Sequence, residues 1–160
     1  MKLLLCALLA AASASAAVPG EPAPSWRFTT LDGESLTGAQ FKGKVVIVDF
    51  WAPWCSPCVK EIPGFVNLMR KYGSEGLVVI AVATDCDKDS VQHYIDAHPL
   101  DFEVGMSNDQ IYAAFGYPDA LPTTFLIDRS GVIRDRRVGG ESEAAYEKKV
   151  LACLRPPSAP

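Results

Sequence analysis

Cys55 and Cys58 are separated by Ser56 and Pro57. Two thiols at this spacing can close a small disulfide, and they straddle the start of a helical pattern. In the reduced state Cys55 would sit at the helix N-terminus, where unpaired N–H groups and the dipole favour thiolate over thiol. The thiolate is the attacking species in disulfide exchange. Cys55 would attack a partner's disulfide, and Cys58, one turn on, would attack Cys55 and release the reduced partner. Pro57 suits the first helical turn, where its missing N–H costs little. Half of a zinc site is a weaker reading, because a structural zinc site usually shows a second close pair. Beyond Cys6 near the N-terminus, only Cys86, Cys153, His93 and His98 remain, each standing apart in the chain. A purely structural bridge over so short a loop adds little stability. No metal and no cofactor is expected.

The elements that must hold this pair follow from periodicity. Val45 to Trp51 is a continuous apolar run, the mark of a strand buried on both faces, interrupted only by Asp49. From Pro57 to about Tyr72 the pattern is helical, with Val59, Ile62, Val66 and Met69 on one face and Gly73 to Gly76 at its end. Leu77 to Ala83 reads as a second buried strand. Asp87 caps a helix carrying Val91, Tyr94 and Ile95, which Pro99 stops. A short strand at Phe102 to Val104 and a short helix from about Asp109 to Phe115 follow. Thr123 to Asp128 and Val132 to Val138 form a hairpin around Ser130-Gly131. A last helix runs from about Ser142 to Leu154. Near the N-terminus, Trp26 to Thr30 and Glu34 to Leu36 flank Asp32-Gly33 as a smaller hairpin. The order is α/β, a central mixed sheet flanked by helices, with an N-terminal β-hairpin extension.

The 160 residues suit one domain, and 49% are apolar. Residues 1–16 read as a secretory signal: Lys2, an apolar run from Leu3 to Ala12, then Ala14-Ser15-Ala16 before a mature start near Ala17. An uncleaved anchor is the alternative. Residues 17–24 read as a flexible Pro-rich lead-in, 25–155 as the folded domain and 156–160 as a loose tail. Export implies an oxidising compartment, periplasmic or otherwise outside the cytoplasm, and no membrane span remains after cleavage. The net charge of −4 argues against nucleic acid as a partner.

Val48-Asp49-Phe50-Trp51-Ala52-Pro53-Trp54-Cys55-Ser56-Pro57-Cys58 resembles the active-site stretch of the thioredoxin superfamily. The continuation Val59-Lys60-Glu61-Ile62-Pro63 is similar to the exported TlpA/ResA-like branch. Leu121-Pro122-Thr123-Thr124-Phe125-Leu126-Ile127-Asp128 matches a second motif of that family. The resemblance spans roughly Trp26 to Leu154. It implies a thioredoxin-like fold, a redox-active Cys55–Cys58 disulfide, and a cis bond at Leu121–Pro122, with Pro122 beside the cysteines. It also implies a thiol-disulfide reductase of protein clients, apocytochrome c among them, fed by a membrane thiol carrier of the DsbD or CcdA type. Thr123-Thr124 departs from the haem-maturation pattern, where some members carry Glu. A disulfide oxidase or isomerase is the second enzymatic reading. A Cu(I) metallochaperone is a third, resting on the softness of thiolates alone.

Asp49 is a carboxylate in a buried strand, costly there unless paired or protonated. It reads either as the proton acceptor for Cys58, which the resemblance favours, or as a strand-end residue reaching water. Glu61 lies one turn after Cys58. Its counterpart in the family tunes cysteine acidity, and the plain alternative is an exposed helical Glu. Trp54, Ser56, Pro57 and Leu121 are candidate client contacts. Cys153 shares a helical face with Tyr146, Val150 and Leu154 and reads as a core thiol. Cys86 reads as a lone loop cysteine or an auxiliary redox thiol. His93 and His98 are expected at the surface.

Overall fold

The computed structural model describes residues 17–155. Residues 1–16, read above as a secretory signal, and 156–160, read as a loose tail, lie outside the described residues. Seven strands form one mixed sheet: β1 (Arg27–Thr30), β2 (Ser35–Thr37), β3 (Val45–Trp51), β4 (Leu77–Ala83), β5 (Glu103–Met106), β6 (Thr123–Ile127) and β7 (Ile133–Val138). Their spatial order is β2-β1-β5-β4-β3-β6-β7. β3, β4 and β5 run parallel, whereas the flanking pairs are antiparallel. Four helices complete the fold: α1 (Ser56–Tyr72), α2 (Lys88–Ala97), α3 (Asp109–Ala114) and α4 (Glu143–Leu154). The expected α/β architecture is present, and the N-terminal hairpin joins the sheet through β1 and β5. Gly105 permits that join, because a Cβ there would collide with the Thr29 carbonyl and the Phe28 ring.

Each strand residue points opposite to its neighbours. Val46, Val48 and Phe50 of β3 face a cluster with Phe28, Val82, Ile111, Phe115 and Phe125, on the side where α3 packs. Val45 and Ile47 face Phe65 and Leu68 of α1 and Tyr146 and Val150 of α4. Trp51 on that same face joins Cys58, Ile62 and Val91, which brings in α2. At the end of the sheet away from the cysteines, the Arg129 guanidinium donates to the carbonyls of Gly43 and Glu75, tying two loops together.

Two expectations need correction. The stripe Val59, Ile62, Val66, Met69 is not the core face of α1. The buried positions are Cys58, Glu61, Ile62, Phe65 and Leu68, so the helix is turned and Cys58 and Glu61 lie on its covered side. The lead-in 17–24 is docked. Gly20 and Ala23 donate to the carbonyls of Ile133 and Gly131, Ile133 donates to Glu21, and Ala17 is buried. Proline-rich composition signalled freedom, but the segment takes its partners from residues more than a hundred positions away. The sheet edges are β2, three residues long, and β7, which carries Arg134, Arg136 and Arg137.

Candidate active site

β3 is buried along its whole length and delivers the chain into a tight turn, closed by Cys55 N–H donating to Ala52 O at 3.0 Å. Cys55 is the N-cap of α1, and its Sγ accepts from the Cys58 N–H at 3.3 Å. The two cysteines form a disulfide, with Cα atoms 5.2 Å apart. Cys58 is fully buried and Cys55 nearly so. Ser56 and Pro57 are exposed beside them. Trp54 is 64% exposed, yet its indole is held by donating to the Asp85 carbonyl at 2.9 Å. The Leu121–Pro122 bond is cis, as the resemblance implies, with Pro122 buried and Leu121 half-buried.

On the face of β3 from which Trp51 meets Cys58, the same fold gathers polar groups. Asp49 lies between Ile47 and Trp51 on the β3 face that α1 and α4 cover, and it is fully buried. The reading of Asp49 as a strand-end residue in water is therefore excluded. β3 pairs with β6 so that Asp49 stands opposite Thr124, whose hydroxyl donates to Asp49 Oδ1 at 2.9 Å. Oδ2 has no hydrogen-bond partner among the described residues. Burial first, and the nearby Glu61 charge second, hold the Asp49 carboxyl well above the usual carboxylate range, against the opposing Thr124 bond.

Glu61 is also buried, which excludes the exposed-helix alternative. Its Oε2 accepts from the Glu141 N–H at 3.1 Å and from the Tyr146 hydroxyl at 3.4 Å. Burial pushes its carboxyl up to about 7, although both hydrogen bonds act the other way. The Tyr146 hydroxyl also lies 3.0 Å from Thr124 Oγ1, and burial raises the phenol further above its ordinary range. Two carboxyl groups from separate elements thus share one dry layer, joined through two hydroxyls. Thr124 and Tyr146 were not singled out from the sequence as site residues. The available signal was small: a buried tyrosine needs a partner for its hydroxyl.

Cys86 and Cys153 are free thiols. Cys153 is half-buried against the α1–α4 cluster, and Cys86 packs at the margin of the cluster holding Cys55 and Cys58. Burial raises both thiols, Cys86 with help from Asp87 and Asp85. His93 and His98 are exposed, and His98 stacks on Tyr94.

The AhpC/TSA family matches residues 19–136. The thiol-disulfide oxidoreductase ResA of Bacillus thuringiensis (strain Al Hakam) is 33% identical over 129 residues, covering 80% of this chain and 74% of that protein. The thioredoxin-like protein YneN of Bacillus subtilis (strain 168) is 33% identical over 82% of this chain and 78% of its own length. A crystal structure of a thiol:disulfide interchange protein of the thioredoxin family from Chlorobium tepidum TLS superimposes with a TM-score of 0.79. It is 35% identical, and the match covers 87% of this chain and 99% of that one.

Proposed function

The chain belongs to the AhpC/TSA family and is a thiol-disulfide oxidoreductase with a Cys55–Cys58 disulfide; from that premise we propose that it is an exported reductase of protein disulfides. The Cys55 thiolate attacks a client disulfide, forming a Cys55–client bond and expelling the other client sulfur as thiolate. Cys58 gives its proton to Asp49. Its thiolate then attacks Cys55, re-forming the Cys55–Cys58 disulfide and releasing the second client sulfur. Two electrons pass to the client, and a dithiol carrier restores the pair by the reverse exchange.

The observation that carries the reducing direction is the pair of buried carboxyl groups, Asp49 and Glu61, on the covered side of the cysteines. A strong oxidant is one whose reduced form is stabilised. A carboxyl in a dry layer does the opposite: whenever it is ionised, its charge strongly repels a nearby thiolate, and while burial holds it neutral it gives that thiolate no support. The dithiol is thereby disfavoured relative to the disulfide, which makes it a better reductant. Glu61 thus tunes the acidity of the pair. Trp54, Ser56, Pro57 and Leu121 supply the client-facing surface, and Pro122 borders the cysteines.

The remaining parts of the proposal rest on the residues and the relatives. Residues 1–16 act as a leader for export to the periplasm or its equivalent, leaving a working domain over 25–155 on which the lead-in 17–24 is docked. No helix among the described residues is long and apolar enough to cross a membrane. Apocytochrome c is the proposed client class, and a membrane thiol carrier of the DsbD or CcdA type the proposed donor. The test is the reduction potential of the Cys55–Cys58 couple against a thiol buffer. A value near that of thioredoxin, about −270 mV, supports the reductase. A value near about −120 mV marks an oxidant and overturns it.

A further inference from the structure

The Tyr146 hydroxyl reaches two acceptors with its single proton. Thr124 Oγ1 lies at 3.0 Å and Glu61 Oε2 at 3.4 Å. Thr124 in turn donates to Asp49 Oδ1 at 2.9 Å. Asp49 Oδ2 and Glu61 Oε1, one free oxygen at each end, have no other partner among the described residues. Each hydroxyl can both donate and accept. We propose that Asp49, Thr124, Tyr146 and Glu61 form a proton relay, by which the proton taken from Cys58 leaves the buried Asp49 for Glu61 beside the turn at residues 139–141. This rests on the reading that Asp49 accepts the Cys58 proton.

The transfer balances without any further reactant. With Asp49 protonated and Glu61 ionised, Asp49 donates to Thr124, Thr124 to Tyr146 and Tyr146 to Glu61. Each proton then moves one bond along. Asp49 becomes a carboxylate, Glu61 becomes a carboxylic acid, and both hydroxyls are neutral before and after. The hydrogen bonds now point the other way, with Tyr146 donating to Thr124 and Thr124 to Asp49. The relay is needed because Asp49 is fully buried in β3 and has no exit of its own to water. Glu61 accepts from the backbone of Glu141, which is half-exposed, and Gly139 and Gly140 precede it in the turn. Besides Cys58 of α1, whose proton starts the relay, the charged and titratable groups facing this chain are Arg137 of β7, Glu141 of the following turn, and Lys149 of α4. Lys149 pairs with Glu141 and lies 5.6 Å from the centre of the Tyr146 ring. Thr124 and Tyr146 are positioning residues in this scheme, acting through the two carboxyls.

The test is single-turnover oxidation of the reduced protein by glutathione disulfide, quenched in acid and weighed by mass spectrometry across a pH series. The Cys55–glutathione adduct accumulates whenever Cys58 is slow to attack. Thr124→Val, Tyr146→Phe and Glu61→Gln are each expected to slow adduct resolution by about tenfold, within the range of positioned proton transfer. Glu61→Gln combined with Tyr146→Phe should be no slower than either alone, because a relay is broken once. Thr124→Ser, which keeps the hydroxyl, should resolve the adduct at the original rate and pH profile. Additive losses, or Thr124→Val and Tyr146→Phe at the original rate while Asp49→Asn is slow, would overturn the relay and leave Asp49 as the base. An unaltered Asp49→Asn protein would instead remove the reading beneath it.

Discussion

β3 presents two unlike surfaces from consecutive residues. Phe50 points into a cluster of aromatic and branched side chains, where it meets Phe115 and Phe125 edge-on. Asp49, one residue earlier, points into a layer that also holds Thr124, Tyr146 and Glu61. Both residues are fully buried. One face therefore gains from every group it removes from water, while the other carries carboxyls that burial pushes towards the neutral form. The first face holds the domain, and the second carries the groups proposed to act on the cysteines. That division explains why the reactive layer is flanked by three helices of its own side rather than left thin: the cost of its polar groups is spread over packing at Phe65, Leu68 and Val150.

The comparison breaks most visibly at Phe50. Phe50→Ala is expected to lower unfolding stability by about 3–5 kcal/mol in a denaturant titration, with little effect on exchange in the molecules that remain folded. A loss of exchange at full stability would mean that the two faces are not separable. Glu61 gives the opposite sign. Its carboxyl is raised from 4.5 to about 7 in the folded chain, so the native state binds more protons than the unfolded one in that interval. Stability should therefore fall as pH rises from about 4.5 to about 7 and level off above it, by a total on the order of 3 kcal/mol. Glu61→Gln should remove most of that slope, and the raised Asp49 should leave a residue of the same sign. Asp49→Asn is expected to slow the attack of Cys58 about a hundredfold without destabilising the fold, seen as a persistent mixed disulfide. The smallest effect belongs outside both layers. Trp54→Ala should weaken capture of a protein client, seen as a raised KM, while stability moves by less than about 0.5 kcal/mol.

Much of this was legible in the residues. The cysteine spacing, the apolar run of β3, the Asp-Gly and Ser-Gly turns and the cap at Asp87 are local signals, and the structure has them in place. Asp49 stood out as a carboxylate in a strand core, whereas Glu61, one turn after Cys58, stood out only through the family resemblance. Their connection was not legible. It depends on β6 lying beside β3 in the register that sets Thr124 opposite Asp49, and on α4 folding back to bring Tyr146 between them. The docked lead-in escaped for the same reason, because its partners are in β7 and the turn before it. The rotation of α1 was missed differently: Cys58 and Glu61 were read as chemistry and so were left out of the buried stripe they complete.

The edges of the sheet have a consequence for how the protein lives among its own copies. An open sheet edge would invite a second copy, or any extended chain, to add as an extra strand. β2 is only three residues long, and β7 carries three arginines while residues 20–23 lie along its beginning. Strand addition is discouraged at both borders, so a crowd of these molecules should stay dispersed.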